Sequence, residues 1–408
     1  MNILMVLCQR FPPDIRVEKE ARALHKNGHT LYLLATNEGR DKKYADNTFF
    51  KIFRYHPNLE YLQQKKKQIL FIDDQVVREI SKIITKVKVD AIHVHDLPMV
   101  RSALKVAQKY NIPIIADLHE NMPAAMQIYE HGDSWIDTVS HYLFDNYLRW
   151  RLYEKEVLKK VDHIIVVVPE AAERIIKYGI DKSKIHIVSN TEETGYFNNF
   201  VLDESIINAY KEYFVVSYIG GVDKHRGADT AIKAISYLKY RIPNIKLLLV
   251  GGKGPYAMKM KKLINDLKLN QQVEIISWQP FNKVSTYNYI SDICLVPHNL
   301  YEHTDTTVPH KLFQYMLMKK PVIVSSCRPL KRIVNDTQSG LVFKANDEKD
   351  LARKIYRLYT CSELRSILGH NGYNAAKNEY NWSNDAKRLI NIYNKLEKAN
   401  DRAQGVRS

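Results

Sequence analysis

Residues 213–227 read Tyr213-Phe214-Val215-Val216-Ser217-Tyr218-Ile219-Gly220-Gly221-Val222-Asp223-Lys224-His225-Arg226-Gly227, and this stretch decides the fold. An apolar, β-branched run ends in paired glycines. A short loop of basic and titratable residues follows, then an amphipathic pattern over 228–240. That is a buried strand turning into a helix. Glycines permit a tight turn and close approach of a ligand to the backbone. The helix N-terminus favours anions, and Arg226 adds a charged, bidentate donor. The combination suits a pyrophosphate, although an ordinary βα turn with a surface arginine reads the same way.

The same alternation extends outward in both directions. Strands are predicted at 3–8, 31–35, 90–94, 112–117, 163–168 and 184–188, with helices at 17–27, 100–110 and 171–178. After a less regular stretch over 190–202 the pattern restarts. Strands are predicted at 213–219, 245–250, 273–276, 293–296 and 321–325, with helices at 228–240, 256–267 and 282–290. Residues 347–398 are helical in pattern, and 401–408 are expected to fray. Strand–helix–strand repetition argues for parallel sheets covered on both faces. The expectation is an α/β chain of two doubly wound domains, 1–190 and 191–375, facing each other across a cleft that receives the strand C-termini. Residues 376–408 form a terminal helix and tail.

The 408 residues carry 61 Lys+Arg against 45 Asp+Glu, a net charge of +16. Composition excludes collagen-like, low-complexity and wholly disordered chains, and the charge favours an anionic partner. The N-terminal residues lack a basic region and a small-residue cleavage site, so they read as a first strand. No apolar run approaches the roughly 18–20 residues of a membrane span. Cys8, Cys294, Cys327 and Cys361 are scattered, which argues against a disulfide framework or structural zinc and fits a reducing cytosol.

Three further constellations carry chemistry. The loop 303–316, His303-Thr304-Asp305-Thr306-Thr307-Val308-Pro309-His310-Lys311-Leu312-Phe313-Gln314-Tyr315-Met316, enters a helix. Thr306 and Thr307 offer hydroxyls and amides to an oxygen-rich ligand, Lys311 lies in the first turn, and Gln314 lies farther along; simple helix capping is the competing reading. In the first half, Asp14 and Arg16 open a helix at a strand end, whereas Glu18 and Glu20 read as complements to its dipole. His119 and Glu120 follow another strand, where they can bind hydroxyls or move protons. His93 and His95 share a strand face, but no third ligand is identifiable, so no metal is expected.

Together these segments resemble family 4 glycosyltransferases, the retaining, nucleotide-sugar-dependent enzymes of the GT-B fold. The resemblance is carried by 11–24, 218–227, 249–255, 289–324, 340–343 and Asn381-Trp382, in that order. It implies two Rossmann-like domains, the second binding the donor nucleotide, and a last helix crossing back to the first. Members often carry Gly-Arg and a later Lys-Gly in the diphosphate loop. Here those positions are Gly220-Gly221 and Arg226-Gly227, so Arg226 and Lys311 are expected to share the diphosphate. Two glutamates eight positions apart are common; Thr306 and Gln314 stand there instead. Gln314 would bond ribose hydroxyls, and Thr306 or Asp305 would contact the sugar or its phosphate.

The implied reaction transfers a sugar from a nucleotide diphosphate to an acceptor hydroxyl, without a metal or other cofactor, in surface polysaccharide or glycolipid assembly. Arg226, Lys311 and helix N-termini would stabilise the departing diphosphate, while His119 and Glu120 orient sugar or acceptor. No carboxylate pair of the double-displacement glycosidase kind stands out. The basic stretches 63–71 and 147–153 are interleaved with apolar and aromatic residues. They suit an anionic membrane surface and a glycan or polyprenyl-linked acceptor on the cytoplasmic side, or are solvated helix faces with core aromatics. A nucleotide-sugar epimerase of similar fold is the alternative. A nucleic-acid-binding protein is a more distant one, since no RNP, zinc-finger or basic-zipper signature is present.

Overall fold

A computed structural model describes residues 1–12, 14–36, 49–57, 60–128, 146–195 and 201–405. The chain divides into two compact units, Met1–Ser189 with Asp385–Ser408, and Asn190–Asn384.

In the first unit, β1 Asn2–Arg10, β2 Thr30–Thr36, β3 Phe50–Tyr55, β4 Ala91–His95, β5 Ile114–Leu118, β6 His163–Val166 and β7 Ile185–Ile187 form one sheet. Its order is β3-β2-β1-β4-β5-β6-β7, with every pairing parallel. In the second unit, β8 Phe214–Ile219, β9 Ile245–Val250, β10 Val273–Ile276, β11 Ile293–Val296, β12 Val322–Ser325 and β13 Gly340–Phe343 take the order β10-β9-β8-β11-β12-β13, again parallel throughout. Strands β4, β5, β8, β11 and β12 are buried along their whole length. That is why β8, β11 and β12 are near-continuous apolar runs rather than alternating ones, while β4 and β5 carry buried His93, His95 and Asp117. A large apolar core gathers on β8, β9, β11 and the helix Ala228–Ser236, with Tyr218, Ile232, Leu247 and Leu295 among its members.

Two differences from the sequence reading concern the periphery. The edge strands β3 and β13 and the helices Asp74–Lys86, Glu204–Tyr210 and Arg328–Thr337 were not foreseen. The terminal helix, Trp382–Gly405, continues through residues expected to fray. Residues 406–408 of that tail, and 196–200 of the irregular stretch, lie outside the described residues.

Each sheet has one point where the strand order reverses, between β1 and β4 and between β8 and β11. The loops leaving those paired strands diverge to opposite faces, which opens a crevice at their carboxyl ends. In the second unit the two loops are tied together. Asn299 N–H donates to the His225 carbonyl at 3.0 Å, and its side-chain amide donates to the Lys224 carbonyl at 2.8 Å. Gly227 sits at φ +70°, and a Cβ there would lie 1.8 Å from the Pro297 carbonyl oxygen. Only glycine allows this approach.

Replacing Gly227 with alanine combines left-handed strain with that collision. The expected loss is on the order of 2 kcal/mol or more, read as a lowered unfolding midpoint in urea; an unchanged midpoint would show the two loops are not so joined.

Candidate active site

The crevice of the first unit is lined from β1, β4 and β5. Asp14 caps the helix Ile15–Lys26, its carboxylate accepting from the amides of Arg16 and Val17 at 3.0 Å. The cap fixes the direction of the first turn and sends Arg16 inward. The Arg16 guanidinium is 4% exposed and lies 2.9 Å from Asp117 Oδ1 and 3.0 Å from Glu20 Oε1, with the Val188 carbonyl at 3.3 Å. Asp117 Oδ2 also accepts from His119 Nε2 at 2.9 Å. Asp96 approaches the other side of His119, with Oδ2 3.5 Å from Nδ1, and accepts its backbone N–H at 3.3 Å. Asp96 holds φ +64°, a costly conformation for a non-glycine residue, at the end of β4.

Burial works against charge on His119, but Asp96 and Asp117 raise its pKa to about 9. Burial also opposes the Asp117 charge, yet Arg16 and His119 hold its carboxyl well below the usual range. Burial lifts Asp96 to about 6 and lowers His95 to about 3. Burial and neighbouring Asp117 raise Glu20. His119 is therefore a cation near neutral pH and a hydrogen-bond donor rather than a base. Glu120 is half-buried beside it.

Two expectations need correction here. Glu20 is not a surface complement to the helix dipole; it is fully buried against Arg16. The third ligand missing beside His93 and His95 exists in space, because Glu20, His93, His95 and Asp117 bring donor atoms within 4.8 Å of one another. The cation touching both carboxylates is the Arg16 guanidinium, which leaves this donor set a poor fit for a divalent ion. Tyr393 OH meets His93 Nδ1 at 2.6 Å and fixes that ring from the terminal helix.

In the second unit, Lys311 lies in the first turn of the helix His310–Leu317 and is 7% exposed. Its Nζ stands 3.8 Å above the Tyr218 ring and has no hydrogen-bond partner among the described residues. A Cβ on Gly220, whose φ is +136°, would fall 2.4 Å from that nitrogen. Gly220 thus leaves the room that the amine occupies. Tyr218 OH donates to the Gly221 carbonyl at 2.8 Å, and the Ile219 N–H donates to Tyr315 OH at 2.9 Å, which locks helix to strand end. Burial and then Arg226 push the Lys311 pKa well below its ordinary value. Arg226 is partly exposed, with Nε 3.0 Å from Asp223 Oδ2.

The structure thus joins Gly220, Gly221, Arg226 and Lys311 at one switch point, although Lys311 is some 90 positions from the glycines. Thr306 is engaged differently from expectation: its hydroxyl donates to the Glu302 carbonyl at 2.7 Å, inside its own turn. Asp305 Oδ1 accepts the Arg328 amide at 2.6 Å. Thr307 is half-buried beside them, and half-buried Gln314 is one helical turn from Lys311 on the same face. The sequence reading missed His298 and Asn299. Their signal was positional, since they follow the strand that completes the switch point.

The Glycosyltransferase Family 4 model matches residues 15–191, and the Glycosyl transferases group 1 model matches residues 202–375. An uncharacterized glycosyltransferase of Methanocaldococcus jannaschii is 25% identical over 271 residues, covering 65% of this chain and 67% of that protein. Sucrose-phosphate synthase from Thermosynechococcus elongatus superposes with a TM-score of 0.80 at 18% identity, covering 98% of this chain and 99% of its own. Anabaena HepE, solved with UDP-glucose, gives 0.73 at 13% identity over 97% and 100%. These structural likenesses show the fold, GT-B, with its two Rossmann-like units.

The first cluster makes stability depend on pH with a definite sign. His119 gains affinity for its proton on folding, so its contribution is complete below about pH 6.5 and is lost as pH rises through about 9. Denaturation at stepped pH should show that alkaline loss in the native protein and its removal in His119→Gln; identical slopes would contradict the assignment.

Proposed function

Because the chain belongs to glycosyltransferase family 4, we propose that it moves a sugar from a nucleoside diphosphate to an acceptor hydroxyl with retention of configuration. The observation that carries this reading is the buried Lys311 ammonium, which has no carboxylate against it and lies between Gly220 and Arg226. An amine in that setting is matched by an anion brought in from solution. The amide end of the helix Ala228–Ser236 adds its dipole to the same loop.

As the sugar–phosphate bond lengthens, negative charge grows on the diphosphate. Lys311 and Arg226 stabilise it, supplying the neutralisation that a divalent ion provides in other phosphate sites. The departing phosphate then accepts the acceptor's proton on the same face of the sugar. On the first unit, His119, held as a cation by Asp117 and Asp96, offers its Nδ1–H to an acceptor hydroxyl. HepE was solved with UDP-glucose, which makes uridine diphosphate sugars the first donors to test.

The acceptor is read as lipid-linked, at the cytoplasmic face of a membrane. No helix among the described residues is long and apolar enough to cross one. Helix Tyr147–Leu158 and the residue after it present Leu148, Arg151, Leu152, Lys155 and Lys159 on one exposed face. Exposed Ile69 and Leu70 adjoin it, since Arg149 donates to the Ile69 carbonyl at 2.7 Å. The aromatics belong to the interior: Phe71 stacks on Tyr153 at 4.2 Å and meets Trp150 edge-on at 4.7 Å. Leucines between cations are the pattern of an interfacial helix.

Arg226→Ala should lower turnover with UDP-sugars by about 100-fold or more while the circular dichroism spectrum stays native; wild-type turnover would remove Arg226 from the mechanism. Vesicles containing anionic lipid should carry the protein in flotation, and Leu148→Ser with Leu152→Ser should abolish this. Flotation unaffected by the pair, or none by the native protein, would refute the membrane face.

A further inference from the structure

His298 lies two residues past the end of β11, at the second unit's switch point, and is 4% exposed. Neither ring nitrogen has a hydrogen-bond partner among the described residues. A neutral imidazole has one N–H to donate and one lone pair to fill, and each left unmade in the interior costs about 1–3 kcal/mol. Nearby carbonyls are otherwise engaged. The Asn299 oxygen accepts from Thr304 Oγ1 at 2.6 Å, and the carbonyls of His298 and Asn299 each lie 3.7 Å from Cys327 Sγ. Lys311 Nζ is unpartnered in the same way. Two buried basic groups left open at one crevice mark a place completed by a ligand.

The surroundings specify the charge of that ligand. His298 feels Lys311 from the helix His310–Leu317, Arg226 and His225 from the loop after β8, and His303 from the loop after β11. The His225 ring centre is 6.5 Å from that of His298 and 5.5 Å from that of His303. Of the carboxylates in the two loops, Asp223 is paired with Arg226, Asp305 accepts the Arg328 amide, and Glu302 is exposed.

Building on the reading of this crevice as the donor site, we propose that His298 is a donor-binding residue whose imidazole takes up a proton as the diphosphate of a nucleotide sugar enters. Without the donor, burial and then Lys311, Arg226, His225 and His303 hold its pKa well below the ordinary value, and the ring is neutral. Two phosphate charges reverse the sign of the field, so the second N–H becomes favourable and both nitrogens donate. Lys311, depressed by burial and Arg226, holds its proton more tightly in the same event. Donor affinity is thereby linked to pH, and only part of the linkage belongs to His298.

Isothermal titration of the full chain with UDP-glucose, in Tris and in Hepes at pH 7.5, separates the two parts through the buffers' ionisation heats. The diphosphate of that probe does not itself titrate there. The native protein should take up about half a proton or more beyond His298→Asn and His298→Gln. Its affinity should fall several-fold per pH unit from 6.5 to 8.5, more steeply than in either variant. Asparagine and glutamine can restore a hydrogen bond but not the proton, so a merely structural histidine would leave uptake unchanged. Equal uptake in all three proteins overturns the proposal and spares the donor site, as does a native affinity that is flat with pH. Failure of the folded native protein to bind UDP-, GDP- or ADP-glucose overturns the donor reading and this proposal together.

Discussion

An ammonium group held out of water with no anion beside it is the constraint around which the second unit is arranged. Lys311 reaches under the end of β8, where Gly220 makes the space and the Tyr218 ring covers one side. A ring face returns about 2 kcal/mol to a desolvated cation, whereas stripping an ion of water costs several. The deficit keeps the amine's proton weakly held and leaves the site short of negative charge. Arg226, the helix opening at Ala228, and the imidazoles of His225 and His298 work in the same direction, while Asp223, paired with Arg226, opposes them. In the proposed reading, a diphosphate supplies what this set lacks.

The two units show what the same topology does with opposite charge accounting. Parallel pairing throughout each sheet forces helical crossovers, and one reversal of strand order places polar residues at the carboxyl ends of two adjacent central strands. In the first unit opposite charges meet, although His93 Nε2, His95 Nε2 and both Glu20 oxygens make no hydrogen bond among the described residues. Arg16 lies against Asp117 and Glu20, and His119 lies between Asp117 and Asp96. The result is an internally balanced network that fixes one imidazolium in place. In the second unit the carboxylates lie at the margin and the buried groups are basic or unpartnered. The first arrangement orients a donor hydrogen; the second awaits a counter-ion.

Much of this organisation is legible in residues alone, for physical reasons. Central parallel strands are buried on both faces, so 293–296 stands out as an unbroken apolar run and 245–250 as one broken only at Lys246, with the boundaries the fold has. Edge strand β3, Phe-Lys-Ile-Phe-Arg-Tyr, mixes charges into its run and escapes the same test. The glycine-rich loop after β8 announces its chemistry locally, because backbone conformation and anion affinity are encoded within a few positions. The Arg16–Asp117 pair joins residues 101 positions apart, and no local pattern separates a buried Glu20 from a half-buried Glu18 on one helix. His298 was overlooked for a related reason: its importance comes from which strand precedes it in the sheet order, not from its neighbours in sequence.

The most direct measurement compares the affinity of the folded protein for UDP, UMP and uridine, with and without Lys311→Met. If the buried amine and Arg226 grip a diphosphate, UDP binds at least about tenfold more tightly than UMP, a difference of about 1.4 kcal/mol, and the advantage collapses in the variant. Equal affinity for UDP and UMP in the native protein, or an advantage that survives the loss of the lysine, would contradict the account.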